Sequence, residues 1–140
     1  MVRSKKPVDR KPTAMTKSVV YAHLQRAEQH LERAQAAACD PVDWADLSIY
    51  GFYALEAAVM AAALHAGFRV ERTHRSKAEA AKKLAESHEL PDVADLLAKL
   101  NSYPKAVAYG DEDSPELDPE DVSAEIEGFV DSVRTLLEGE

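Results

Sequence analysis

Cysteine, glycine and aromatic residues are scarce in this chain, which has 140 residues, one cysteine, five glycines and 6% aromatics. The single cysteine, Cys39, can form neither an intramolecular disulfide nor a thiolate cluster around a metal, so a reducing cytoplasm is the expected location. Five glycines leave too few tight turns for a sandwich or barrel of many short strands. These scarcities exclude disulfide scaffolds and argue against an all-β fold.

Alanine and charged residues are abundant instead. Hydrophobic residues make up 46% of the chain, with alanine supplying much of that share, and 30% of the residues are charged. Such a composition favours helices, and the length is that of one domain able to bury its own core. Apolar residues recur with helical spacing along most of the chain. We therefore expect an all-α, antiparallel, up-and-down bundle of about five helices.

The net charge of −8 conceals two oppositely charged ends. Residues 1–17 hold six cationic residues and one carboxylate, a net of +5, whereas residues 111–140 hold twelve carboxylates and one arginine, a net of −11. We expect residues 1–17 to be a basic, disordered tail and residues 18–140 to form one helical domain. The basic tail is either a solvated segment or an arm that binds nucleic acid. The acidic residues 111–140 are not expected to contact nucleic acid.

Proline and glycine mark the limits of the first two predicted helices. The first helix begins at Ser18, and Asp40 is expected to cap the second, with Pro41 in its first turn. The second helix, residues 42–66, is apolar on nearly every side and ends at Gly67. We expect this helix to lie in the centre of the bundle.

Three further helices follow in the second half of the chain. Ser76 and Glu79 have the spacing of a capping box at the start of the third helix. The fourth helix is predicted to be short, because Pro104 should end or kink it. Asp118 begins the fifth helix, whose apolar stripe comprises Val122, Ile126, Phe129, Val130, Val133 and Leu137.

Metal and membrane sites are not expected. His23 and His30 are seven residues apart on one side of the first helix and are interpreted as surface histidines. His88 is followed by Glu89 but lacks the second histidine of a zinc motif. Carboxylates, tyrosines and His65 in the second helix argue against a membrane span. We predict no metal, no cofactor and no membrane partner.

A basic connection between the second and third helices is a candidate binding site. Arg69, Arg72, His74, Arg75 and Lys77 lie within nine residues, next to the positive N-terminus of the third helix. The cluster suits a phosphate or an acidic partner. The alternative is that these side chains form salt bridges with the acidic C-terminal segment.

Several residues, by their type and their position along the predicted helices, make the sequence resemble the HEPN superfamily. They are the run YGFYALEAA at residues 50–58, the helix end at Gly67, His74, the pair at residues 100–101 and the pair at residues 109–110. The resemblance spans about residues 16–137. It implies an all-α bundle that dimerises through buried helices. Many members are metal-independent endoribonucleases of toxin–antitoxin, CRISPR or phage-defence systems, and others are non-catalytic companions of small nucleotidyltransferases.

Catalytic members of that family carry an arginine and, a few residues later, a histidine near the end of the fourth main helix. Lys105 and Tyr109 stand at the corresponding positions here. Tyrosine is a poor base at neutral pH, and lysine lacks the two-pronged donor geometry of arginine. Arg69 and His74 match the spacing but precede the third helix.

The resemblance therefore implies a non-catalytic HEPN-like homodimer that acts as a binding or regulatory module. Asn101, Tyr103, Lys105 and Tyr109 would line its inter-subunit cleft and contact RNA, a nucleotide or a partner protein. One alternative is a divergent endoribonuclease that uses either Lys105 and Tyr109 or Arg69 and His74. Another is a protein whose acidic C-terminal face binds a basic partner.

Overall fold

The computed structural model describes residues 14–108 and 117–139, with the side chains of residues 16–102 and 117–139. Within these ranges the chain forms five helices and no strand: α1 (Ala14–Ala37), α2 (Trp44–Ala66), α3 (His74–Ser87), α4 (Ala94–Ala108) and α5 (Pro119–Glu138). The all-α prediction is confirmed.

Helix α2 is the central element of this bundle and packs against each of the other four helices. Among the described residues it is the one helix long and apolar enough to cross a membrane by length and composition alone, with a mean hydropathy of 1.6. The other helices bury 72% of that apolar stretch, as expected for the core helix of a bundle. The predicted central position of this helix is confirmed.

Gly51 allows α4 and α5 to approach α2 closely. A Cβ atom at this position would lie 2.7 Å from Cδ1 of Ile126 on α5 and 3.3 Å from Cδ1 of Leu100 on α4. Leu100 and Ile126 are both buried in the core of the bundle. The predicted apolar stripe of α5 is also confirmed, since all six of its residues are buried.

Two helix ends follow the predicted capping chemistry. Gly67 adopts a left-handed conformation with φ 84°, and its N–H donates to the carbonyls of Ala63 and Leu64 at the end of α2. The Asp118 carboxylate accepts a hydrogen bond from the N–H of Glu120, and a proline follows this cap at the start of α5.

Two predicted caps are wrong, and each true cap lies three residues from the predicted one. Asp43, rather than Asp40, caps α2 and accepts from the N–H of Asp46 at 3.0 Å. The chain first makes an additional turn in which the N–H of Asp43 donates to the Ala37 carbonyl. Thr73 caps α3 in place of Ser76, whose hydroxyl instead accepts from the N–H of Glu71.

Two helices are longer than the sequence pattern predicts. Helix α4 continues past Pro104 to Ala108, because a proline removes one hydrogen bond of the helical ladder without preventing the following ones. Helix α1 begins at Ala14 rather than Ser18, so part of the predicted basic tail belongs to the first helix.

Candidate functional site

Glu56 is the one carboxylate buried among the described residues, with 7% of its surface exposed. It lies on the inner helix α2, and both of its partners come from α3. Its Oε2 atom is 2.7 Å from Nδ1 of His74, and its Oε1 atom accepts from Nζ of Lys77 at 3.3 Å. Because a buried charge is costly unless it is paired, these contacts tie the start of α3 to the middle of α2.

The cap at Thr73 explains why α3 presents two partners to Glu56. It makes His74 the first residue of the helix, so that His74 and Lys77 stand three positions apart on the same helical face. The His74 ring also meets Phe52 edge to face, with a centroid distance of 5.0 Å. A carboxylate only accepts hydrogen bonds, so Nδ1 of His74 donates in this contact, and Nε2 has no hydrogen-bond partner within the described part of the chain.

A small pocket of about 170 Å³ opens beside this cluster, where α1, α2 and α3 meet. Cationic and aromatic side chains surround the single carboxylate. The lining residues are His23, Arg26, His30, Tyr53, Glu56, Ala57, Met60 and Lys77. Since Glu56 already has two cationic or hydrogen-bonding partners, the remaining groups present a surface suited to an anion.

An aromatic–basic stripe extends from the pocket along the α1–α2 seam. We define this stripe as His23, Arg26, His30 and Arg33 of α1 with Tyr50 and Tyr53 of α2. The rings of His30, Tyr50 and Tyr53 contact one another in a triangle, with centroid distances of 6.0 Å from His30 to Tyr50, 5.3 Å from His30 to Tyr53 and 6.4 Å between the tyrosines. The Arg33 guanidinium lies 5.2 Å from the centroid of Tyr50 and donates to its hydroxyl.

The two histidines of the stripe favour their uncharged forms. Burial lowers the pKa of His23 from 6.5, and the nearby charges of Arg26 and Lys77 lower it further. Burial likewise lowers the pKa of His30, with Arg33 and Arg26 adding to the effect. The Nδ1 atom of His30 is buried and has no hydrogen-bond partner among the described residues. A bound anion would favour protonation of both rings.

Acidification is expected to destabilise the free protein through these histidines. In the unfolded chain they take up protons as the pH falls through 6.5, whereas the folded state takes them up only at lower pH. The unfolded state therefore binds more protons in that window, and the free energy of unfolding decreases. In urea denaturation, the free energy of unfolding should decrease less steeply between about pH 7 and pH 5 for the double variant His23→Gln/His30→Gln than for the wild type. Equal slopes would contradict this assignment.

No family model, curated protein or solved structure matches this chain. The function therefore has to be inferred from the chemistry of the site.

The structure places the predicted basic cluster in two environments. His74 joins the buried Glu56, as described above. Arg75 is exposed and pairs with Glu79 on the same helix at 3.5 Å. Arg69 and Arg72 are exposed and form no ion pair within the part of the chain that the structure describes. The alternative in which this cluster pairs with the acidic C-terminal segment has no contact to support it among residues 117–139.

The predicted cleft residues are only partly covered by the structure. Asn101 is half-buried on α4. The side chains of Tyr103 and Lys105, and the whole of Tyr109, lie outside the described residues. Their proximity to one another, to a second subunit or to a ligand stays a prediction.

The stripe and Glu56 were not predicted as site residues. Glu56 carries a visible signal, because it is a lone charge in the middle of an otherwise apolar stretch of helix. His23 and His30 carry a weaker one in their shared helical face. Their association with Tyr50 and Tyr53 depends on how α1 packs on α2, which spacing within one helix does not encode.

Proposed function

We propose that this chain is a non-catalytic, HEPN-like helical module that forms a homodimer and binds an anionic partner. The observation that carries the binding part is the junction of α1, α2 and α3. There a single carboxylate, Glu56, is paired with His74 and Lys77. Arg26 is exposed, and its one hydrogen bond among the described residues is to the neutral His23 ring, at 3.4 Å. The face presents more positive than negative charge, in a protein whose net charge is −8.

Helix α5 packs on the other side of α1. Glu28 lies on that side, and Arg134 of α5 donates to its carboxylate at 2.6 Å. Arg134 also pairs with Asp131 of its own helix. The buried residues Leu24, Ala27 and Leu31 of α1 separate the side of Glu28 from the side of His23 and Arg26. An anion at the three-helix junction would therefore not face the carboxylates of Glu28 and Asp131 directly.

The HEPN-like part of the proposal is supported by helix number and order. The run at residues 50–58, which carries much of the resemblance, lies in the central helix α2 and includes Glu56. His74, another of the resembling residues, begins α3 and contacts that same helix. Dimer formation and the position of the cleft at the end of α4 belong to the proposal.

Light scattering and incubation with RNA test the two parts of this proposal separately. We expect a solution mass near twice 15.4 kDa, and RNA that is bound but stays intact. A mass of 15.4 kDa at all concentrations would contradict the homodimer. Absence of binding to any polyanion at low salt would contradict the binding module.

A divergent, metal-independent endoribonuclease is the second candidate, favoured by the 2.7 Å contact between Glu56 and His74. A carboxylate that orients an imidazole through Nδ1 leaves Nε2 in position for proton transfer. The variants His74→Ala and Lys105→Ala separate the candidates, with His88→Ala as the matched histidine control. RNA cleavage that is lost in His74→Ala or Lys105→Ala but retained in His88→Ala would overturn the non-catalytic assignment.

A further inference from the structure

The α1 half of the stripe is a continuous row of basic or potentially basic side chains. His23, Arg26, His30 and Arg33 follow one another at spacings of three, four and three residues, which keeps them on one side of the helix. At 1.5 Å per residue the row is about 15 Å long. Lys77 of α3 extends it at the His23 end, where both side chains line the pocket.

The two arginines of the row have no carboxylate partner among the described residues. Arg26 donates to the His23 ring at 3.4 Å, and Arg33 donates to the Tyr50 hydroxyl at 3.3 Å. Both acceptors are uncharged, so the guanidinium charges are not compensated within this part of the fold. This contrasts with Arg134, which contacts two carboxylates. Guanidinium groups held in this way retain donors for phosphate oxygens.

The α2 half of the stripe supplies an aromatic surface. Tyr53 is 47% exposed and is one of three large hydrophobic residues exposed in the described ranges. Its ring is supported from within the fold by His30 and by Phe52, at centroid distances of 5.3 and 6.3 Å. A ring that is fixed on one side and open on the other is suited to stacking with a planar ligand.

We propose that single-stranded nucleic acid binds along the aromatic–basic stripe, with a base stacked on Tyr53 and phosphates contacted by Arg26 and Arg33. This inference rests on the proposed anion-binding function and specifies its ligand. Cations alone would suit any polyanion, whereas an exposed aromatic ring between them also fits a ligand that alternates negative charge with flat apolar groups. Bases in a duplex are already stacked on one another, so the ring favours a single strand.

Fluorescence anisotropy with labelled oligouridine and oligothymidine, each about twelve nucleotides long, tests this proposal and distinguishes RNA from DNA. We expect Tyr53→Ala to weaken binding about tenfold or more, because one stacked base is lost. Tyr53→Phe should bind within about twofold of the wild type, since stacking needs the ring and not the hydroxyl. Arg26→Ala and Arg33→Ala should each lower the slope of log affinity against log salt by about 0.7.

The chain offers matched controls for each variant. Tyr21 is as exposed as Tyr53, at 45%, but lies on the α5 side of α1, where its hydroxyl approaches the Leu137 carbonyl. Tyr21→Ala should therefore bind the oligonucleotides like the wild type. Lys82 is an exposed cation of α3 outside the pocket lining, and Lys82→Ala should retain the wild-type salt slope. Thermal unfolding of every variant verifies that each is folded.

The outcomes separate this inference from the function on which it rests. One outcome is oligonucleotide binding that is unchanged in the stripe variants but lost in the double variant Arg69→Ala/Arg72→Ala. That result would overturn the stripe as the binding surface but would leave the anion-binding function intact. A twelve-residue glutamate peptide that binds as tightly as oligouridine would also overturn it, because charge alone would then suffice. A wild-type protein that binds neither probe at low salt would contradict both proposals.

Discussion

Replacing Glu56 with alanine is expected to lower the free energy of unfolding by about 2–4 kcal/mol. The substitution removes a carboxylate that contacts both His74 and Lys77, and it leaves Lys77, whose side chain is 20% exposed, without its ionic partner. The His74 side chain is 60% exposed and can be hydrated, so the loss is smaller than for a fully buried pair. Urea denaturation followed by circular dichroism measures the difference.

Glu79→Ala is the matched control, because Glu79, like Glu56, forms an ion pair with a side chain of α3. Its pair with Arg75 is exposed on both sides, at 65% and 89%, and should contribute less than about 1 kcal/mol. Glu56→Gln, which retains a hydrogen-bonding group, should lie between the wild type and Glu56→Ala. Equal losses for Glu56→Ala and Glu79→Ala would contradict the assignment of Glu56 as the tie between α2 and α3.

Helix α3 should respond most strongly to the loss of Glu56. Within the described residues it packs against α2 and α4, and it shares with α1 only the lining of the pocket, through Lys77. Its buried side chains are Ala80, Ala81 and Leu84, two of which are small. Amide hydrogen exchange should therefore accelerate in α3 more than in α2 or α5 of Glu56→Gln, because local opening follows the weakest packed element.

Replacing Phe129 with alanine is expected to lower the free energy of unfolding by about 3–5 kcal/mol. Phe129 is the largest fully buried side chain among those described, and its removal leaves a cavity in the core that α5 shares with α2 and α1. Domains of this size have total stabilities of about 5–15 kcal/mol, so the variant would lose a large part of that. Val19→Ala, at a position that is 45% exposed, should change stability by less than about 0.5 kcal/mol. A small effect of Phe129→Ala would contradict the position of α5 in the core.

The elements that were predicted correctly are those determined by neighbouring residues. The apolar face of α5 depends on residue spacing, and the start of this helix at Asp118 depends on capping within a few residues. Both predictions are confirmed. The caps of α2 and α3 were misplaced because each region offers two capping residues three positions apart. Either member of each pair satisfies local chemistry, and the choice depends on how the helix packs against the rest of the fold.

The misplaced cap of α3 also explains why the site was not predicted. With Ser76 as the cap, His74 would lie in a loop, without a defined relation to Glu56. With Thr73 as the cap, His74 and Lys77 fall on one face of α3 and both reach the same carboxylate. The aromatic–basic stripe is likewise a product of packing, because its histidines and tyrosines belong to different helices.

Titration of the ¹⁵N-labelled protein with oligouridine, followed by amide chemical shifts, tests the central claim most directly. The claim is that the junction of α1, α2 and α3 is the binding surface of this protein. We predict that the largest shift changes occur at the amides of His23, Arg26, Tyr53 and Lys77, and that they saturate together. Changes confined to α5, or to the connection that contains Arg69 and Arg72, would contradict it.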